Sequence, residues 1–234
     1  MPNVLITGGS TGIGKAIAHQ FIAGGYDLCL ASRSLKDLEQ LKKELTGTHP
    51  ERNVDVLAVD LKKRNEVQKL SDFVTTKYSA LDILINNAGT FTPGRIQDEP
   101  EGQLEDMMQL NLYCAYHLTR GLLPSIRRSK SGHIFNTCSV ASLKAYPAGG
   151  SYSISKYAML GFSDNLRMEL MEERIKVTAV FPGATLTRSW QDDPTLKDRI
   201  MEAGDVAKMI WAASQLSHQA CVEHITLRPQ LGDL

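Results

Sequence analysis

The chain has 234 residues, 26 Lys and Arg against 26 Asp and Glu, 42% hydrophobic residues and 22% charged ones. These proportions suit one large α/β domain with a substantial core and exclude a disordered, collagenous or coiled-coil chain. A formal net charge of zero leaves no global positive field to neutralise phosphates, so nucleic acid is not an expected partner.

In chain order, apolar runs of strand length stand at Val4–Ile6, Leu28–Leu30, Val54–Val59, Ile83–Ile85, His133–Asn136, Val177–Phe181 and Ile225–Leu227. Helical spacing of three or four residues links Ile13, Ile17 and Phe21, then Leu38, Leu41 and Leu45, then Val67, Leu70 and Val74. Strand, helix, strand repeats require crossovers between parallel neighbours, and right-handed crossovers cover both sheet faces. The expected class is a doubly wound, three-layer α/β fold. Longer helices are expected at Gln103–Leu123 and Tyr152–Glu172, and a last one from an Asp205 N-cap to about Ser217. Thr90–Gly102 and Ala184–Glu202 resist a regular reading, and the second, residues 184–202, is the expected substrate loop.

Scattered cysteines (29, 114, 138 and 221) form neither a CxxC pair nor a zinc-ligand cluster, which fits a reducing cytoplasm. No run approaches the ~18–20 apolar residues of a membrane span, and Val4 opens a strand where a leader would be apolar. The chain is therefore read as cytoplasmic, without a membrane partner, and as one domain over residues 1–234, complete from its first residue.

The first strand runs into Thr7-Gly8-Gly9-Ser10-Thr11-Gly12-Ile13-Gly14, and helical spacing begins at once. Glycine permits positive φ and close backbone approach, while a helix N-terminus offers unpaired N–H groups to a pyrophosphate. Gly8, Ser10, Gly12, Ile13 and Gly14 are the candidate dinucleotide-binding positions; a plain tight turn is the competing role. At the end of the second strand, an acid would bond a ribose 2′-hydroxyl. Arg33 stands there instead, and its guanidinium suits a 2′-phosphate, which favours NADP(H) over NAD(H). Asp60 closes the third strand, as an acceptor for an adenine amino group or as a helix cap. Tyr152 and Lys156 are four apart and share a helical face, so the ammonium is expected to lower the phenol towards the range where it exchanges protons with a carbonyl or alcohol. Ser139, just after the fifth strand, has a hydroxyl for the same substrate oxygen.

Thr7 to Gly14, Asn86-Asn87-Ala88-Gly89, Asn111, Ser139, Tyr152-x-x-x-Lys156 and Pro182-Gly183 occur together and in order. In this the chain resembles the short-chain dehydrogenases/reductases, from Val4 to about Thr226. The resemblance implies a Rossmann-type fold with a mostly parallel seven-stranded sheet. It also implies a tetrad in which Tyr152 is general acid/base, Ser139 orients the substrate oxygen, Lys156 bonds the nicotinamide ribose, and Asn111 holds a water linking Lys156 to solvent. Asn87 and Gly89 would line the cofactor pocket, and Pro182, Gly183 and Thr187 would close over the nicotinamide, without a metal. The implied chemistry is hydride transfer between NADP(H) and a small carbonyl or secondary alcohol, in a homodimer or homotetramer packed through the two long helices. Met107, Leu110 and Tyr113 would serve either the core or that interface.

An alternative is a 3-oxoacyl reductase acting on acyl carrier protein or coenzyme A thioesters. Arg127, Arg128, Lys130 and Met171–Arg174 resemble its docking positions, but the Gly-Gly element common after the last strand is missing. A remote alternative is a non-catalytic NADP-binding redox sensor. Phe91, Tyr146 and Trp190 are expected at the substrate mouth, and Arg188 is a candidate anchor for a carboxylate.

Overall fold

A computed structural model describes residues 1–187, 194–196 and 198–233. Its strands are β1 (Asn3–Thr7), β2 (Asp27–Ser32), β3 (Val54–Ala58), β4 (Ile83–Asn86), β5 (His133–Thr137), β6 (Lys176–Pro182) and β7 (His224–Leu227). They form one sheet of order β3-β2-β1-β4-β5-β6-β7, and every pairing is parallel. The doubly wound α/β class expected from the repeats is thus observed.

Successive strand residues point to opposite faces, and the sequence supplies apolar side chains to both. Leu5, Cys29, Leu84, Ile134 and Val177 pack on one face with α3 (Arg64–Lys77), α5 (Cys114–Ile126) and α6 (Gly150–Leu170). Their neighbours Val4, Ile6, Leu28, Leu30, Ile83 and Ile85 pack on the other with α1 (Gly12–Ala23), α2 (Leu35–Thr48) and α7 (Ala203–Ser214). Burying one such side chain contributes about 1.5–3 kcal/mol. Stripping either helical layer would therefore cost more than the ~5–15 kcal/mol of net stability typical of a domain.

Two helical expectations need correction. The helix expected over Gln103–Leu123 is three pieces: α4 (Gln103–Met108), a π turn at Gln109–Tyr113, and α5, which continues to Ile126. The last helix is capped at Glu202, not Asp205. Asp205 lies in its first turn, pairing with Lys208 at 3.3 Å, where its charge complements the positive helix end without capping it.

Strand order reverses between β1 and β4, so their C-terminal ends flank a crevice. The turns after β1, β4, β5 and β6 all emerge on that edge.

Candidate active site

The turn after β1 is tied to the turn after β4 through Thr7. Its hydroxyl donates to the Ile85 carbonyl and accepts the N–H groups of Asn87 and Ala88, both at 3.0 Å, while Asn87 Nδ2 donates to the Thr7 carbonyl at 3.0 Å. Gly8 and Gly12 adopt left-handed φ values of 63° and 53°, a region open mainly to glycine. At Gly14 the requirement is space: a Cβ there would stand 2.2 Å from the Gly8 carbonyl oxygen, so glycine lets α1 pack onto the turn. No side chain caps α1, whose N-cap is Thr11.

A cleft of about 1140 Å³ opens above these turns. Gly8, Ser10, Gly12, Ile13, Arg33, Asn87, Gly89, Ser139, Tyr152, Lys156, Pro182, Gly183 and Thr187 all line it. Gly14 and Asn111 lie behind the wall. Asp60 also lies outside the lining: its carboxylate accepts the Lys62 N–H, and its neighbours Val59 and Leu61 face the cleft. The ends of the 184–202 segment are pinned together, Leu186 N–H to the Met201 carbonyl and Met201 N–H to the Ala184 carbonyl. Thr187 thereby comes down onto the glycine turn, its methyl 3.1 Å from where a Gly12 Cβ would stand.

Ser139 is the N-cap of a short 3₁₀ turn, Val140–Ser142. Its Oγ accepts the Ala141 N–H, and its own N–H donates to Ser142 Oγ at 3.2 Å, a reciprocal cap that fixes the side chain at the cleft wall. Tyr152 and Lys156 lie one turn apart on α6. Lys156 is only 5% exposed, donates from Nζ to the Thr137 carbonyl at 2.8 Å, and stands 5.9 Å from the centre of the Tyr152 ring. Asn111, in the π turn, spends its side chain on the Thr90 backbone, accepting its N–H at 2.8 Å and donating to its carbonyl at 3.0 Å, and on Ser155 Oγ at 2.9 Å. Gly89 leaves room between Asn111 and Lys156: a Cβ there would stand 3.2 Å from Asn111 Oδ1 and 3.5 Å from Lys156 Nζ.

Electrostatically, the pair departs from the expected lowering of the phenol. Burial pushes Tyr152 above its ordinary value, with a hydrogen bond to Ser139 acting the other way, and burial pushes the Lys156 ammonium below its own. Desolvation disfavours both charged forms.

Phe91 meets the Tyr152 ring edge-on at 4.8 Å, and both Phe91 and Tyr146 line the cleft. Burial pushes the Tyr146 phenol up to about 12. Arg188 and Trp190 lie outside the described residues. Sequence reasoning missed Thr7 as the tie between the turns, and Cys138, Lys144, Arg228 and Asp233 as lining residues. Arg228 and Asp233 form an ion pair in the C-terminal tail, brought to the cleft by β7 pairing with β6. Of the basic positions on the opposite surface, Arg127 is held by both carboxylate oxygens of Glu173, at 2.6 and 2.7 Å. Among the described residues no cluster of His, Cys, Asp and Glu could hold a metal ion, and no helix is long and apolar enough to cross a membrane.

The family model of the short chain dehydrogenases matches residues 2–197. A sepiapterin reductase of Chlorobaculum tepidum is 31% identical over 239 residues, covering 99% of this chain and 97% of its own. Among solved structures, an alcohol dehydrogenase from the archaeon Thermococcus sibiricus, complexed with 5-hydroxy-NADP, superposes with a TM-score of 0.91 at 26% identity, covering 98% and 97% of the two chains. The closed form of a serine dehydrogenase complexed with NADP+ gives 0.89 at 25% identity, with coverage of 99% and 96%. The parallel sheet, the glycine turn and the Tyr-x-x-x-Lys cleft define a dinucleotide-dependent oxidoreductase, and this chain belongs to the short-chain dehydrogenase/reductase family.

Proposed function

We propose that this oxidoreductase transfers hydride between NADP(H) and a small carbonyl compound or secondary alcohol, with Tyr152 as general acid/base. One observation carries the reading: the glycine turn, Arg33 and the Ser139, Tyr152 and Lys156 side chains all line a single cleft. The two left-handed glycines and the uncapped start of α1 suit a pyrophosphate, and Arg33 suits a 2′-phosphate. The NADP complexes among the structural relatives support the same choice.

When bound, the cofactor supplies the hydride. Gly8, Ser10, Gly12, Ile13 and Gly14 form or support the pyrophosphate cradle, with Asn87, Gly89 and Asp60 towards the adenosine side. Pro182, Gly183 and Thr187 close over the nicotinamide, and Lys156 holds its ribose. Ser139 orients the substrate oxygen. Tyr152 gives that oxygen a proton in the reductive direction. Asn111 holds a water that returns a proton towards Lys156. Residues 184–202 act as the substrate loop within one domain over 1–234, and two or four copies assemble through α4–α5 and α6.

The acyl-carrier alternative is less well supported, because the Arg127 guanidinium is already engaged by Glu173. The test is NADPH and NADH oxidation against sepiapterin, diketones, aldehydes, keto acids, keto esters and an acetoacetyl thioester. NADPH turnover is expected. Tyr152→Phe should lower kcat by about 10²–10⁴ while NADPH still binds. Near-normal activity of that variant would reject Tyr152 as the acid, and NADPH binding with no turnover on any carbonyl would favour the sensor.

A further inference from the structure

Glu99 lies in the irregular segment between β4 and α4, and its sequence neighbours assign it no role. In the fold its carboxylate reaches the start of α6. One oxygen accepts the Ser151 N–H at 2.9 Å and the other accepts the Ser151 hydroxyl. The backbone around it is shaped to admit it. Gly150 has φ +37°, and a Cβ there would stand 2.1 Å from Glu99 Oε1 and 2.5 Å from the Gly94 carbonyl oxygen. A Cβ on Gly94 would stand 2.8 Å from Glu99 Cγ. Ala148 is also left-handed, at φ 59°, and its carbonyl accepts the Gly94 N–H at 3.0 Å. Two glycines and a left-handed alanine thus enclose one carboxylate.

The residue after Ser151 is Tyr152. The N-cap of α6 is Gly149, which brings no side chain to the exposed N–H groups of the first turn. Glu99 supplies that acceptor from a distant segment and sets negative charge at the positive end of the helix. The same segment sends Phe91 against the Tyr152 ring. Tyr152 is therefore braced twice from residues 90–102, through its ring and through the backbone just before it.

We propose that Glu99 is a positioning residue for Tyr152, a clamp that fixes the first turn of α6 and keeps the phenol beside Ser139. The proposal rests on the reading of Tyr152 as the acid–base group, but the clamp can be tested without turnover. Glu99→Ala removes both hydrogen bonds, Glu99→Gln keeps the length and an acceptor for Ser151, and Gly150→Ala forces a methyl into the slot. Three quantities are measured: kcat at saturating carbonyl and NADPH, the Kd for NADPH, and the ¹³Cζ resonance of Tyr152, assigned by its loss in Tyr152→Phe.

Glu99→Ala should lower kcat by about ten- to a hundredfold, the scale of an ångström of misplacement, and move the Tyr152 resonance while leaving the NADPH Kd unchanged. Gly150→Ala should reproduce the defect, and Glu99→Gln should restore most of kcat and the resonance. Wild-type kcat and an unmoved resonance in Glu99→Ala would overturn the clamp. So would a parallel loss of NADPH affinity, which marks general unfolding. Should Glu99→Ala not fold, Glu99→Asp, one methylene short of Ser151, takes its place with a smaller loss in the same direction. If the wild-type chain turns over no carbonyl, the functional reading fails, and the resonance alone decides the clamp: a shift in the alanine variant reversed in the glutamine variant supports it, and no shift overturns it.

Discussion

Arg33 stands exposed at the end of β2 between Ser32 and Ser34, all three in the cleft wall. A charged hydrogen bond of the kind a guanidinium makes to a phosphate contributes about 1.5–3 kcal/mol, equivalent to about ten- to a hundredfold in affinity. Arg33→Asp replaces that donor by an acceptor suited to a 2′-hydroxyl and repels a 2′-phosphate. The ratio of kcat/KM for NADPH to that for NADH should fall by at least about tenfold, since both effects have the same sign. An unchanged ratio in a folded variant would mean that another group reads the 2′ position. The place of Arg33 in the cleft wall was legible in the sequence because it depends on one fact, that Arg33 follows the second strand. Thr7 and Glu99 were not, because their partners, Asn87 and Ser151, lie 80 and 52 residues away. Only the fold brings them together.

Glycines in two helices show how one substitution takes opposite signs according to what surrounds the element. Gly47, near the end of α2, has nothing among the described residues within 4 Å of an added Cβ, so Gly47→Ala should raise stability by up to about 1 kcal/mol through helix propensity alone. Gly14, at the start of α1, would place its Cβ 2.2 Å from the Gly8 carbonyl oxygen and 2.8 Å from Asn87 Nδ2. Relief requires moving backbone, so Gly14→Ala should cost about 1–3 kcal/mol and weaken NADPH binding by distorting the turn. Thermal melts and NADPH titrations of both variants provide the check, and wild-type affinity in Gly14→Ala would remove the turn from the binding reading. Legibility at this scale follows the same division. The strands were evident because both faces of most are apolar, and α1 was evident because helical spacing follows the glycines directly. The π turn was not. Nothing local in Gln103–Leu123 marks it, and it coincides with the residue whose side chain is drawn to Thr90 and Ser155, both remote in sequence. Asp205 misled for a related reason: an acid in the first turn and an acid at the cap look alike in sequence, and only backbone geometry separates them.

For the whole molecule, the outer side of α5 and α6 carries exposed apolar side chains. Of the three residues assigned to core or interface, Met107 and Leu110 are buried, whereas Tyr113 is 42% exposed. Tyr116, Ile154, Tyr157 and Met168 are exposed as well, and the Tyr116 ring contacts Phe162 across the two helices at 5.7 Å. Isolated apolar residues on a surface need no explanation, but a contiguous patch over two helices does. Gly161 follows Tyr157 by one turn, and a Cβ there would meet nothing within 4 Å among the described residues, which permits close approach of another helix. A two-fold interface uses the same patch on both subunits, and a patch on two neighbouring helices suits that arrangement. Such an axis would also buttress α6 on the side away from Lys156, adding to the hold on Tyr152. The wild-type chain should therefore sediment at two or four chain masses at micromolar concentration. Tyr157→Glu, which puts an unpaired charge into the contact, should sediment at one chain mass and melt at a lower temperature. A wild-type monomer would reject the assembly. An oligomer unaffected by Tyr157→Glu would move the interface to another face of the molecule, and would leave the support of Tyr152 to the Glu99 clamp and the chain's own core.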